Sequence, residues 1–167
     1  MDEAAKKTAL RMIPYGIYVL TARGGDGSVA AATVNWVTQT SFKPPLVAVA
    51  VKADSGAHGI VKSSRAFALN VLGKGQQKLA FAFFKPASVE GDTISGEKFR
   101  AGSTGAPLLD SAAAFVECRV VNSVEGGDHT VFVAEVVEAG VAKAPSGRAD
   151  DATLWLKELG DTVFYGG

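Results

Sequence analysis

The sequence predicts a mainly β protein: a six-stranded antiparallel Greek-key barrel with two or three short helices, forming one domain over residues 1–167. Three observations carry that prediction. About six β-rich segments, alternating or continuously apolar, are spread along the chain. Two junctions between them, Gly24-Gly25-Asp26-Gly27 and Gly126-Gly127-Asp128, are glycine–aspartate turns of hairpin type. The helical patterns are short and inserted singly, without the regular strand–helix alternation of a βαβ sheet.

In chain order, residues 2–11 form a helical lead-in, and Tyr-Gly-Ile-Tyr-Val-Leu-Thr-Ala at 15–22 is the first strand. The turn at 24–27 sends residues 29–34 back beside it. Gly25-Asp26-Gly27-Ser28-Val29-Ala30 fits a dinucleotide-binding pattern of glycines and a small residue, but a strand follows where that pattern needs a helix. Residues 30–45 begin as an apolar strand and then change character. Asn35, Thr38, Gln39, Thr40 and Ser41 set uncharged hydrogen-bonding groups around one large aromatic, Trp36. Pro44-Pro45 ends the run, because proline lacks a donor and restricts the residue before it. Such a ledge suits a polar, planar ligand; the plainer reading is a Thr-rich edge strand turning a corner.

Residues 46–52 form a third strand, expected to be buried on both faces for most of its length. Asp54 or Ser55 caps a short helix over 56–62, and residues 66–72 are the fourth strand. Residues 75–85 read as a helix with Leu79 and Phe83 on its buried face. Residues 86–105 lack a pattern, as a lid or partner contact does. In the strand at 115–122, Val116, Cys118 and Val120 alternate against Glu117 and Arg119. Residues 129–139 return beside it, residues 151–159 form a small helix, and Val-Phe-Tyr-Gly-Gly closes the sequence.

Equal numbers of basic and acidic residues, 17 each, remove the electrostatic footprint of a nucleic-acid binder and any polybasic attraction to a membrane. The longest apolar run, residues 46–51, is far short of a bilayer span, and the acidic start of the chain carries no apolar signal core. The lone cysteine, Cys118, has no internal disulfide partner, so a cytoplasmic location and a buried, inert thiol are expected.

The chain holds two histidines and scattered carboxylates, so no metal-ligand spacing is present. Neither a phosphate-binding loop of nucleotide hydrolases nor a Gly-x-Ser-x-Gly elbow occurs. Asp128 and His129, adjacent on a strand, are expected to point to opposite faces and to act apart. The hard chemistry of an enzyme with this sequence falls to a cofactor. His58, beside Lys52 and Ser55 at a helix start, sits where free amides bind phosphate; otherwise it is an exposed helix histidine. His129 opens a strand after a turn, and either works from that frame or is satisfied by a backbone carbonyl. Trp36 and Phe84 flank a flat ring or belong to the core.

Six segments in order then resemble one family. Ala-Thr-Val-Asn-Trp-Val-Thr-Gln-Thr-Ser-Phe-Lys-Pro-Pro-Leu-Val-Ala-Val-Ala-Val (32–51) is similar to the flavin-binding signature of the flavin reductase-like family. Phe-Ala-Leu-Asn-Val-Leu (67–72), Phe-Phe-Lys (83–85), Gly-Ala-Pro-Leu-Leu (105–109), Glu-Cys-Arg-Val-Val (117–121) and Gly-Asp-His (127–129) follow in the family's order. The resemblance spans residues 10–140. It is nearest the subgroup that includes flavoredoxin and the flavin reductase modules of diiron flavoproteins, with the module here expected to stand alone.

What the resemblance implies is an FMN-binding split barrel, a homodimer with FMN near the subunit interface. It assigns the isoalloxazine edge and ribityl chain to Thr33, Asn35, Trp36, Thr38 and Gln39. It assigns the phosphate to Ser41, Lys52, Ser55 and His58, and closure of the pocket to Phe84 and Lys85. His129 orients the hydride donor, NADH or NADPH, and electrons pass to free flavin, a monooxygenase or an iron protein. The alternative within the family is a flavoredoxin-like electron carrier without its own nicotinamide activity; a haem- or deazaflavin-binding barrel is more remote. An amide such as Asn35 or Gln39 both donates and accepts, matching the flavin N3–H and its flanking carbonyls. Ala57 and Ala134 depart from a threonine and a glycine common in relatives. The tail, residues 163–167, has two places to go: over the flavin or against a partner subunit.

Overall fold

In the computed structural model, which describes residues 1–167, a seven-stranded antiparallel sheet curls until its edges meet. After α1 (Glu3–Arg11), capped by the Asp2 side chain, come β1 (Tyr18–Arg23), β2 (Val29–Val34), β3 (Val37–Phe42) and β4 (Pro45–Lys52). Then follow α2 (Gly56–Ser64), β5 (Ala66–Val71), α3 (Gln77–Ala82), and four short strands, β6 (Val89–Glu90), β7 (Thr93–Ile94), β8 (Glu97–Ala101) and β9 (Pro107–Leu109). The long strands β10 (Ala114–Glu125) and β11 (His129–Val141), a helical turn α4 (Ala149–Ala152) and a 3₁₀ turn (Leu156–Leu159) complete the order. No helix is long and apolar enough to cross a membrane.

The spatial order β2-β1-β5-β10-β11-β4-β3 explains the closure. β2 and β3 lie at opposite edges of the sheet, yet only Asn35 and Trp36 separate them in sequence. Three Cα–Cα steps from Val34 to Val37 span roughly 11 Å at most, so the two edges must come together. The backbone seals the seam there: Ala50 N–H donates to the Trp36 carbonyl at 3.0 Å. The polar run after Val34 is therefore a separate strand, which makes seven strands where the sequence suggests six. Lys43-Pro44, joined by a cis peptide, turns β3 back onto β4.

Apolar side chains on the concave face fill the barrel, with Leu20, Val49, Phe67, Leu69, Cys118 and Phe132 fully or nearly fully buried and Ala57 and Val61 of α2 stopping one end. Burial, with the neighbouring Glu117 charge, pushes the Cys118 thiol up to about 12, so it is inert at neutral pH. A second core lies outside the sheet, where Ile17, Val19 and Leu72 pack against Leu79, Phe83, Leu154 and Leu159. Leu79 and Phe83 are buried as their spacing predicts, although the helix is shorter than residues 75–85. The small helix read at 151–159 is interrupted, because Thr153 and Trp155 bridge to Gly73 and Gly16 as extended chain. β4 is buried at Val49 and Val51 alone; its alternate residues remain on the outer surface, so the strand is single-faced.

A third layer holds residues 86–109, which are not a loop but the small sheet β6-β7-β8-β9. It docks on the outer face of the main sheet through buried polar groups. Asn70 donates to the Val19 carbonyl and the Thr21 hydroxyl and accepts from Leu109 N–H, while Thr21 donates to the Pro107 carbonyl. Glu117, 1% exposed, accepts from the backbone N–H and hydroxyl of both Ser103 and Thr104, at 2.6–3.2 Å. The alternation along β10 is as read, but the face left for Glu117 is covered. Gly102 passes so close to the carboxylate that any side chain there would collide with it.

Burial pushes the Glu117 pKa up, but the four donors outweigh it and hold the group below the usual carboxylate range. A depressed folded-state pKa contributes stability above the unfolded value of about 4.3 that is lost as pH falls through the folded value. Glu117→Gln is therefore expected to cost about 2 kcal/mol at pH 7. In urea melts at pH 7 and pH 3, the gap between wild type and variant should narrow at the lower pH.

Candidate functional site

The seam creates a hollow. Where β2 ends and β3 begins, the sheet's outer surface meets the end of α3, the 3₁₀ turn and the C-terminal segment, enclosing about 290 Å³. Thr33 and Asn35 line one wall, Ala50, Lys52 and Ser55 another, and Phe83, Phe84, Val163 and Tyr165 cover it. Asn35, 5% exposed, reaches the Tyr165 carbonyl with its Nδ2 at 3.4 Å. Lys52 pairs with Asp54 at 3.0 Å, which raises its pKa, so the mouth carries a fixed cation. Beside it α2 begins: the Ser55 hydroxyl accepts from His58 N–H at 3.2 Å and donates to the Lys52 carbonyl at 2.7 Å.

At the same mouth His129 is held from three sides. Its Nδ1 lies 2.8 Å from Asp128 Oδ1, its Nε2 2.7 Å from the Tyr165 hydroxyl, and its ring 4.6 Å from that of Trp36. Asp128 and His129 thus act together, against the expectation of opposite faces. Asp128 belongs to the turn rather than to β11, so strand alternation does not govern its side chain. The hydrogen bond from His129 lowers the Asp128 pKa, keeping it a carboxylate acceptor. Burial raises the Tyr165 pKa, with Lys52 opposing, and the phenol stays a donor. Between a carboxylate on Nδ1 and a phenol O–H on Nε2, the neutral Nδ1–H tautomer of His129 satisfies both partners.

Of the residues singled out from sequence, Thr33, Asn35, Lys52, Ser55 and Phe84 line the hollow, with Trp36 and His129 at its edge. The Thr33 hydroxyl is taken by the Ala80 carbonyl at 2.7 Å, which ties α3 to β2. Thr38, Gln39 and Ser41 run away along β3, outside the hollow, where the Gln39 amide donates to the Ser41 carbonyl. His58 lines no wall of the hollow and is half-buried: its Nε2 sits 2.9 Å from Thr130 Oγ1 and its ring leans on Phe132. Cap geometry explains this, since the first turn of α2 carries His58 toward the barrel end. Lys85 is exposed and lines no wall. Sequence reasoning missed Asp128 as the histidine's partner and Tyr165 as its other partner.

The donor set suits a flat ring carrying carbonyl acceptors. Asn35 offers an amide, and Trp36 Nε1 is buried without any acceptor, an N–H that costs about 1–3 kcal/mol to leave unpaired. Lys52 and the free amides at the start of α2 supply a charge and dipole of the kind that suits an anionic group.

Residues 10–158 match the family model described as flavin reductase like domain. The reductase component of the 4-nitrophenol 4-monooxygenase/4-nitrocatechol 2-monooxygenase of Rhodococcus opacus is 34% identical over 83% of this chain and 72% of that one. Diflavin flavoprotein A 1 of Synechocystis is also 34% identical, over 81% of this chain, but the chain spans only 24% of that longer protein. Among solved structures, an NADH:FAD oxidoreductase of Streptomyces globisporus, in complex with NAD and FAD fragments, superposes with a TM-score of 0.67 at 35% identity. That match covers 77% of this chain and 76% of the other.

The Ser55 cap is testable apart from any ligand. Ser55→Ala should destabilise the ligand-free protein by about 1 kcal/mol. Thermal melts followed by far-ultraviolet circular dichroism measure it, and an unchanged midpoint would contradict the cap.

Proposed function

This chain belongs to the flavin reductase-like family, and from that premise we infer an oxidoreductase that binds flavin and passes electrons from a reduced nicotinamide to an acceptor. The bound flavin is FMN in this reading, and NADH or NADPH is the hydride donor. The observation that carries it is the cluster at the seam. An amide (Asn35) and Lys52 line one hollow, and an unpaired indole N–H (Trp36) and an oriented histidine (His129) meet at its edge around Tyr165.

Flavin held by Asn35, Lys52 and Ser55 would supply the two-electron chemistry between nicotinamide and acceptor. The protein's own residues bind and orient. Asn35 and Trp36 present neutral donors to ring carbonyls, which favours reduced flavin without placing a fixed charge beside it. Lys52, Ser55 and the start of α2 hold the phosphate, and Thr33 and Phe84 form walls. His129, locked by Asp128, orients the hydride donor rather than attacking it. Hydride transfer needs the reacting atoms roughly 3–3.5 Å apart, so this positioning is worth more than any acid–base step.

The same proposal includes a homodimer and a cytoplasmic location. β3, β4, β11 and β10 present an outward apolar face next to the hollow. Val131 and Val124 are paired across β11 and β10 at 37% and 58% exposure, and Phe42 on β3 is 85% exposed. A second copy covering that face brings Thr38, Gln39 and Ser41 into the interface. Free flavin, a monooxygenase or an iron protein is the acceptor.

A visible spectrum of the purified protein, followed by anaerobic addition of NADH or NADPH, tests the function; flavin absorbance that bleaches is expected. Flavin that no nicotinamide reduces would point to the electron-carrier alternative. His129→Ala should slow reduction by at least about tenfold with flavin still bound, and Lys52→Ala should weaken FMN binding by about tenfold. Sedimentation should give a dimer that Val131→Lys converts to monomer.

A further inference from the structure

The C-terminal segment walls the hollow, and Tyr165 meets the polar groups around it as a ligand would. Tyr165 contributes an aromatic ring edge-on to Trp36, with ring centroids 5.3 Å apart. Its backbone carbonyl accepts from Asn35 Nδ2 at 3.4 Å and its hydroxyl meets His129 Nε2 at 2.7 Å. One residue thus presents a ring, a carbonyl acceptor and a polar edge to the three side chains assigned above to ligand binding. Val163 and Phe164 form the partition between this hollow and a second one of about 620 Å³ behind it, since both line the two cavities. At about 290 Å³ the first hollow is at the small end of the roughly 300–1,000 Å³ of small-molecule sites. Moving the partition joins the two.

Two features make this seat one that a ligand can take over. The segment is clasped from the side by Arg11, whose guanidinium lies over the Phe164 ring at 4.1 Å and whose Nε donates to the Gly166 carbonyl. These are surface contacts of small individual worth. Gly166 also lies against the Trp36 indole, whose Nε1–H is left buried and unpaired. The seated segment satisfies Asn35 and His129 but offers Trp36 nothing, so a ligand with one more acceptor gains a hydrogen bond the segment cannot make.

We propose that Tyr165 is a built-in stand-in for the ring ligand, a specificity-determining residue displaced when a flat heteroaromatic ring with carbonyl acceptors takes its place. The proposal rests on the flavin reading above. Isoalloxazine and nicotinamide share the required chemistry: ring, adjacent carbonyl acceptor, no fixed charge at the polar edge. Displacement frees His129 Nε2 at the moment the ring arrives, so the residue that orients the donor is withheld until the site is filled. Ligands without a ring acceptor cannot replace the hydrogen bond that the Tyr165 carbonyl accepts from Asn35, and they leave the segment seated.

The test uses the full chain carrying Trp155→Phe, which leaves Trp36 as the sole tryptophan. Tyr165→Ala, Tyr165→Phe and deletion of residues 162–167 are compared with the parent. In flavin-free protein, deletion should shift Trp36 emission, because the indole loses its cover. By stopped flow, FMN and FAD should associate about tenfold faster with Tyr165→Ala and with the deletion, and a few-fold faster with Tyr165→Phe, which keeps the ring but loses the His129 bond. The conservative variant keeps the test valid if the others fold poorly. NAD⁺ is a separate arm: acceleration confined to NAD⁺ identifies the nicotinamide ring as the displacing group, and acceleration confined to flavin identifies isoalloxazine. Unchanged Trp36 emission, unchanged rates, or weaker flavin binding in the variants would overturn the proposal, the last making Tyr165 a wall of the site. Absence of flavin binding in every protein, parent included, would overturn the flavin reading itself, whereas tight parental binding with unaltered variant rates would overturn only the stand-in.

Discussion

The two-residue bridge Asn35-Trp36 is the constraint on which the rest of the structure depends. It joins strands from opposite edges of a seven-stranded sheet, so the sheet has no choice but to close. Closure gives the barrel its interior, filled by Phe67, Leu69, Val49 and Phe132, while β2 and β3 stay unpaired with each other along the split. It also makes a discontinuity in an otherwise regular wall. Regular strands bury or expose side chains alternately; at the bridge the chain turns, and Asn35 presents its amide to the hollow while the Trp36 indole packs at its edge against Tyr165 and His129. Fold and site therefore have one origin.

The layers around the barrel keep that seam in register. Thr33 and Phe83 tie α3 to β2 through two hydrogen bonds, Thr33 N–H to the Phe83 carbonyl and Thr33 Oγ1 to the Ala80 carbonyl. On the far side Glu117, Asn70 and Thr21 bind the small sheet with every polar group satisfied, where a missing partner would cost about 1–3 kcal/mol. The contrast with Trp36 Nε1 is informative. Polar groups in the scaffold are fully paired, and the one buried side-chain atom without a partner belongs to the site.

Much of this was legible in the sequence, for identifiable reasons. The ledge at 30–45 stood out because uncharged amides and hydroxyls around one tryptophan are unusual inside an apolar strand pattern. Hairpin turns, the Ser55 cap and the Leu79–Phe83 face follow from local chemistry, and local chemistry is what a sequence displays. What stayed hidden depends on distant chain. The break between β2 and β3 is set by sheet closure; the burial of Glu117 needs the small sheet, built from strands as short as two residues. His58 turns inward because of how α2 plugs the barrel. Asp128 meets His129 because the turn, not the strand, directs it. Tyr165 sits in a tail with no periodicity, so nothing local marked it as the partner of His129.

The central claim is that the seam hollow beside Asn35-Trp36 receives the flavin ring. A crystal structure of the protein loaded with FMN tests it most directly. The account predicts the isoalloxazine between Asn35, Trp36 and Phe84, an acceptor on Trp36 Nε1, and the phosphate at Lys52 and the start of α2. Flavin bound elsewhere on the barrel, with Trp36 Nε1 still unpaired and the hollow unchanged, would contradict it.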